Sequence, residues 1–411
     1  MQFFKLGATA IATGVVVALT MAPAALAQKP PTLTKQVAGP LNEARTALVA
    51  KDWATAKTKL AAANTQAKTP YDKLMIEKMT IVMAAETKDG PEQVRSIEAM
   101  MATGLLTPDE TKVYKGALIK AYADAGDAAK STAAFRSYVD AYGGTHDQYA
   151  QIALDLLKVN DNAGGLTYAN KAIDTARAAG AKVPETYFIV AMKAHKASND
   201  MEKYYAVEEQ LVAAHPKEIY WKELIAGRTQ EAPKFGGPIR LDMFRAMQAA
   251  KLPLSVNEKR AASTEALRRG LPTEALAILE PAVASGELST PEDQESLKTA
   301  KKAVTDDKVS LPKEITQQLA KTNNGIALAN IGEAAMSHGD YAQAIDLIQK
   351  GIERGISDAG ELDVAKLHLG MAQYHAGQKD AAVKTWAEVK TTDNGAASIA
   401  RSWTLISQVQ P

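Results

Sequence analysis

Hydrophobic residues along this chain keep a helical rhythm. Short amphipathic stretches, each broken by a turn residue, follow one another, and period-two runs rich in Val, Ile and Thr are hard to find. Two stretches, 328–351 (LANIGEAAMSHGDYAQAIDLIQKG) and 367–389 (LHLGMAQYHAGQKDAAVKTWAEV), align without gaps at an offset of 38 residues. That offset sets Gly332 on Gly370, Gly339 on Gly377, Ala344 on Ala382 and Ile348 on Trp386. The same frame recurs upstream with turn residues at Lys51, Asp89, Gly126, Asn160, Asn199 and Gly270. Successive spacings are 38, 37, 34, 39 and 71, then 69 to Gly339. The two long intervals are each near twice the repeat, so each hides one degenerate unit. The pattern therefore predicts about nine or ten helical hairpins stacked end to end.

Each recurring position has a physical reason. The turn needs a residue that tolerates left-handed backbone, which Gly, Asn and Asp do cheaply. Five residues on, Ala56, Ser131, Gly165, Ala275, Ala344 and Ala382 are small and let paired helices approach. Four further on, Leu60, Phe135, Leu279, Ile348 and Trp386 fill the space between layers. Val94 and Tyr204 break the small-residue rule, so the second and fifth units are divergent.

Composition agrees with helix throughout: aromatics are 6% of 411 residues and Ala is abundant. The start of the chain is read separately. Lys5 precedes an uncharged apolar run from Leu6 to Ala22; Pro23 breaks it, and Ala25-Leu26-Ala27 offers a small-x-small cleavage site before Gln28. Residues 1–27 are expected to be a signal peptide, an uncleaved anchor being the alternative. No Cys follows it, so neither a lipid anchor nor a disulfide framework is expected. Removing Lys5 from 48 basic residues leaves 47 against 47 acidic ones, which offers no long-range attraction for nucleic acid or anionic lipid.

The Gly339-Asp340-Tyr341-Ala342-Gln343-Ala344 core, the Leu369-Gly370 pair and the unit-closing Pro216 resemble the tetratricopeptide repeat. The stretches RLDMFRAMQAAKLPL, LRRGLPTEALAIL and AKLHLGMAQYHAGQKDAAVKTW also look like a group of exported proteobacterial repeat proteins of unassigned activity. The resemblance implies an all-α fold, a right-handed superhelical solenoid of about nine or ten such hairpins behind the signal peptide. Its expected parts are a solenoid over 28–231, irregular and degenerate repeats over 232–323, two clear repeats over 324–391 and a capping helix over 392–411. Across the start of the irregular part, the stretch Gly227 to Pro238 reads as a loop ringed by Tyr204, Tyr205, Tyr220, Trp221, Phe235 and Phe244. Those aromatics either pack a misfit or line a hinge recess. Residues 290–322 read as two weakly amphipathic helices parted at Leu311-Pro312.

Catalytic signals are missing. The six His include no i, i+4 pair, and no phosphate-cradling loop or nucleophile elbow is present. No metal, cofactor or catalytic residue is expected. The resemblance implies that first helices of the hairpins line a concave ligand face. Its inward positions here are Ile326, Ala329, Glu333, Met336 and Ser337, then Val364, Leu367, Met371, Tyr374 and His375. Glu333, Met336, Met371, Tyr374 and His375 are the candidate partner-binding groove, with an inter-repeat core as the alternative for the Met residues. The Lys and Asn clamp by which the family holds a C-terminal carboxylate is replaced by Ala329 and Leu367, so an apolar helix or extended segment is the better ligand. The expected function is a periplasmic scaffold or adaptor for protein–protein interaction in the cell envelope, soluble once the signal is cleaved. An envelope hydrolase or lyase acting on a cell-wall polymer is the alternative, and self-association a third reading.

Overall fold

In this computed structural model the described residues are 31–409; the expected signal peptide lies outside them. All regular structure among the described residues is helical. The chain divides into two compact units between Ala181 and Lys182. The first unit consists of hairpins: α1 (Lys35–Val49) with α2 (Trp53–Gln66), α3 (Pro70–Glu86) with α4 (Gly90–Ala102), α5 (Pro108–Asp124) with α6 (Ala128–Tyr142), and α7 (His146–Lys158) with α8 (Asn162–Ala178). The second opens with α9 (Glu185–Ala197) and α10 (Met201–Ala214). Then α11 (Glu218–Lys222) runs through a π-helical turn, Glu223–Gly227, into α12 (Arg228–Gln230). There follow α13 (Pro238–Ala249), α14 (Val256–Arg268), α15 (Pro272–Ala284) and the long α16 (Pro291–Leu319). Two more hairpins, α17 (Gly325–Ser337) with α18 (Tyr341–Glu353) and α19 (Ala359–His375) with α20 (Lys379–Ala387), lead to α21 (Ala396–Val409).

The hairpin turns work as the repeat pattern predicts, with one refinement. Lys51, Gly126, Asn160, Asn199, Gly270, Gly339 and Gly377 all take positive φ, between 55° and 80°. In the second hairpin the left-handed residue is Lys88, one position before the expected Asp89. The next residue returns its N–H to the carbonyl five back, as Asp52 does to Ala47 (2.9 Å) and Asp340 to Ala335 (3.1 Å), closing the first helix. Where that residue is Asp52, Asp89, Asp127, Asp161, Asp200 or Asp340, its carboxylate also accepts a backbone N–H of the next helix. One aspartate thus ends one helix and starts the next. The small-against-large rule holds too. A Cβ on Gly332 would lie 2.5 Å from Ile348 Cγ1, and one on Gly370 would collide with the indole of Trp386.

Three expectations change. The compact units divide at 181/182 rather than near 232, and the expected loop keeps its turn over 231–237 while its first four residues are helical. From Glu218 to Gln230 the backbone stays helical through the π-turn, with Trp221, Leu224 and Ile225 buried, and only 231–237 turns. Tyr204, Tyr205, Trp221 and Phe244 are core residues. Residues 290–322 hold one helix, α16, with Pro312 inside it. Proline removes one amide donor from the helix ladder, and the stretch around it is largely exposed. Finally, α21 does more than cap an end. It packs on α19 and α20, and also on α10, the π-turn, α12 and α13. Lys234 donates its N–H to the Asp393 carbonyl (2.6 Å) and its ammonium pairs with the Asp393 carboxylate (2.7 Å). The second unit therefore closes on itself instead of ending as an open stack.

The turn chemistry gives opposite signs to two substitutions. Asp340→Ala should cost about 1 kcal/mol through the lost cap, whereas Lys88→Gly should gain roughly 0.5–1 kcal/mol by relieving left-handed strain. Urea titration of the two variants checks both signs.

Candidate functional site

The expected groove leads to the interior of the second unit. Helix α13 carries IRLDMFRAM and is buried almost all round: Ile239, Leu241, Asp242, Met243, Phe244, Arg245, Ala246 and Met247 are all inside. It packs on α14, α21 and the π-turn. Its two buried charges reach the remaining inner helices. Arg245 sits at the centre, donating from Nη1 to Asp242 (2.7 Å) and to Glu333 of α17 (2.7 Å), and from Nε to Glu274 of α15 (2.8 Å). Arg269, in the turn before α15, completes the pairing of Glu333. His368 of α19 donates from Nε2 toward both oxygens of Asp242 (3.0 and 3.1 Å) and lies 3.6 Å from Glu333.

Burial alone would push the Asp242 carboxyl up. His368, Arg245 and Arg269 outweigh it and hold that group well below the usual carboxylate range. Glu333 is likewise pulled up by burial and down, more strongly, by His368, Arg245 and Arg269. The Arg245 guanidinium, penalised by burial, is held charged by Glu274, Glu333 and Asp242. Asp242, Glu333 and His368 present ligand atoms within 4.8 Å of one another, the donor set of a small metal site. Arg245 already bridges the two carboxylates, and with Arg269 it supplies the positive charge such donors would otherwise take from a cation. The cluster is best read as an ionic lock joining α13, α15, α17 and α19.

The placement of the candidate groove is corrected accordingly. Glu333, Met336 and Met371 are 3%, 7% and 1% exposed and offer nothing to a partner. Glu333 is covered by α13, whose Arg245 it binds. Tyr374 is half-buried against Trp403 of α21, with ring centres 5.5 Å apart. His375 keeps an exposed position, stacked on Tyr341 at 5.2 Å and edge-on to Trp403 at 5.7 Å. The inner face of the last two repeats is thus filled from within the chain. Sequence reasoning missed the lock because its members lie 88 and 126 residues apart. The available signal was an Asp and an Arg three apart in a segment that, Arg240 aside, is apolar from Ile239 to Met247.

A second hydrogen-bonded chain joins Thr273 Oγ1, His338 Nδ1 (3.0 Å), His338 Nε2 and Asp307 Oδ2 (2.6 Å). It runs from α15 through the turn after α17 to α16. Beyond Ala300, α16 buries only Ile315 among its described side chains, so this chain anchors a helix that packing holds weakly.

The first unit keeps an open surface. Helix α6 buries only Val139, and a groove of about 1340 Å³ runs along it between the C-terminal ends of α5 and α7. Small side chains line it, among them Ala123, Ala129, Ala133, Ser137 and Ala141, and Val159 at its edge is 71% exposed. Its charges are already matched. Asp155 pairs with Lys158 (2.7 Å), Asp140 accepts from Tyr168 (2.6 Å) and Lys171 (3.1 Å), and Arg136 lies over the Tyr168 ring at 5.4 Å.

Repeated helical hairpins with left-handed, capped turns and glycine-against-large-residue packing make this an all-α helical-repeat protein whose hairpins resemble the tetratricopeptide repeat. No family model and no curated protein matches the chain. Among solved structures it aligns with the TPR2AB domain of yeast Sti1 in complex with pHSP90 (12% identity, 73% of this chain and 99% of that one, TM-score 0.24). It also aligns with Naa15/Naa10 bound to HypK-THB (10% identity, 87% and 64% covered, TM-score 0.34). A third is NprR in complex with its cognate peptide NprX (12% identity, 92% and 99% covered, TM-score 0.23). None of these superpositions is close enough to assign a role.

If the lock holds the second unit, Arg245→Met leaves buried carboxylates unpaired and should cost about 3–5 kcal/mol. Because Asp242 and Glu333 bind protons less readily folded than unfolded, their stabilisation is present above the ordinary carboxylate range and is lost as pH falls below it toward their lowered folded values. Unfolding titrations across acid pH should show this loss in the wild type and a flatter acid limb in Arg245→Met.

Proposed function

We propose that this chain is a protein-binding scaffold of the cell envelope, exported by its N-terminal segment, with its docking surface on the first unit. The observation that carries the reading is the open groove along α6. In the second unit the face of the first helices α17 and α19, where the sequence placed a groove, is occupied by α13 and α21. The groove walls are small and their charges internally paired, which favours an apolar helix or extended segment recognised by shape over a charged ligand. Small residues let a partner backbone approach closely, and Val159 offers an apolar edge contact.

A photo-crosslinking residue placed at Ala133 should capture a discrete partner from envelope extract, while the same residue at exposed Val309 on α16 should not. Equal capture from both positions, or none at Ala133 with the protein folded, overturns the placement. Export is checked independently. Fractionation of cells should find the protein in the periplasm, and sequencing of its N-terminus should begin at Gln28. Recovery of the intact chain in the cytoplasm would contradict that part alone.

A further inference from the structure

Glu208 on α10 is wholly buried, and neither of its carboxyl oxygens has a hydrogen-bond partner among the described residues. An ionised carboxylate left so would cost far more than one protonated, because nothing replaces the water it loses. Its surroundings deepen the penalty. Glu223 of the π-turn, Glu209 on the same helix and Glu231 in the following turn all act on it with negative charge. Arg228 opposes them, yet its guanidinium is bonded to Glu209. The two neighbouring phenols are engaged elsewhere: Tyr204 donates to Glu223 (2.6 Å), and Tyr205 bonds to Glu231.

The elements packed on α10 bring no compensating partner. These are α9, α11, the π-turn and α21. On α9, Lys193 and Lys196 are exposed, His195 lies toward Asp200, and Glu185 is taken by Lys217 and Tyr220. On α11, Glu218 and Lys222 pair with each other (2.8 Å), and Arg401 of α21 is exposed. Burial first, and then Glu223, push the Glu208 carboxyl up from 4.5 to about 8. The π-turn itself is the kind of helical irregularity that recurs where a helix must adapt to function.

We propose that Glu208 is a proton-operated latch: it packs as a neutral acid between α10 and the π-turn, and releasing its proton loosens that contact. The device goes beyond the scaffold reading and does not depend on it. Its sign follows from the raised value. The folded unit holds a proton that the unfolded chain gives up, so the stabilisation is complete below about 4.5. It declines as pH rises and is gone once pH passes about 8. Across that interval the folding constant falls by up to about tenfold per pH unit.

The test is urea unfolding of the full chain followed by tryptophan fluorescence, wild type against Glu208→Gln, at several pH values from about 5 to about 8. Between those limits the folding constant of the wild type should fall by on the order of a thousandfold more than that of the glutamine variant. Parallel pH dependences of the two proteins would overturn the proposal. Should Glu208→Gln fail to fold, infrared difference spectra of the wild type with isotope-labelled glutamate decide. A protonated carboxyl band present at about pH 6 and lost above about pH 8 supports the latch, and a carboxylate already ionised at about pH 6 refutes it.

Discussion

A helix that carries Asp242 and Arg245 into a dry interior must find opposite charges waiting there, and the second unit is built around that requirement. Isolated, either ion would cost several kcal/mol to bury. Gathered with Glu274, Glu333, Arg269 and His368, they become a mutually satisfied set that tolerates little displacement. Buried ion pairs of this kind are weak evidence for stability but strong constraints on geometry. Each of α13, α15, α17 and α19 must arrive in register for the set to close.

The same constraint explains why this repeat array does not offer its inner face. A hairpin stack exposes the flank of its first helices and needs something to lie against it. Here α13 takes that place by side-chain charge, and α21 completes the enclosure through the Tyr374, Trp386 and Trp403 rings. In the first unit small residues leave a groove open along α6, the second helix of its hairpin. Two bodies made from one kind of hairpin therefore have different surfaces available.

The latch and the lock show two ways of carrying charge into the second unit. Around Arg245 opposite charges pair, and the carboxyls are held ionised. Around Glu208 the nearby acids repel and the one cation is taken, so the proton stays. Both arrangements lie within a unit whose apolar core is ordinary, which makes titration the means by which its stability can respond to its surroundings.

Local chemistry was legible in the sequence. The left-handed turn residues, the small residue five positions on and the large one opposing it depend only on neighbours within a hairpin, and they stand where the spacing put them, Lys88 excepted. The double role of the turn aspartates was equally local and readable from their place after the left-handed residue. What tertiary structure alone decided was which flank of each hairpin meets solvent. Glu333, Met336 and Met371 look like groove residues when the repeat is considered alone. Glu333 is instead paired with Arg245 on a helix far away in the chain, whose arrival no periodicity announces. Amphipathic spacing specifies that a face must be covered; which segment covers it depends on charges brought together across many tens of residues.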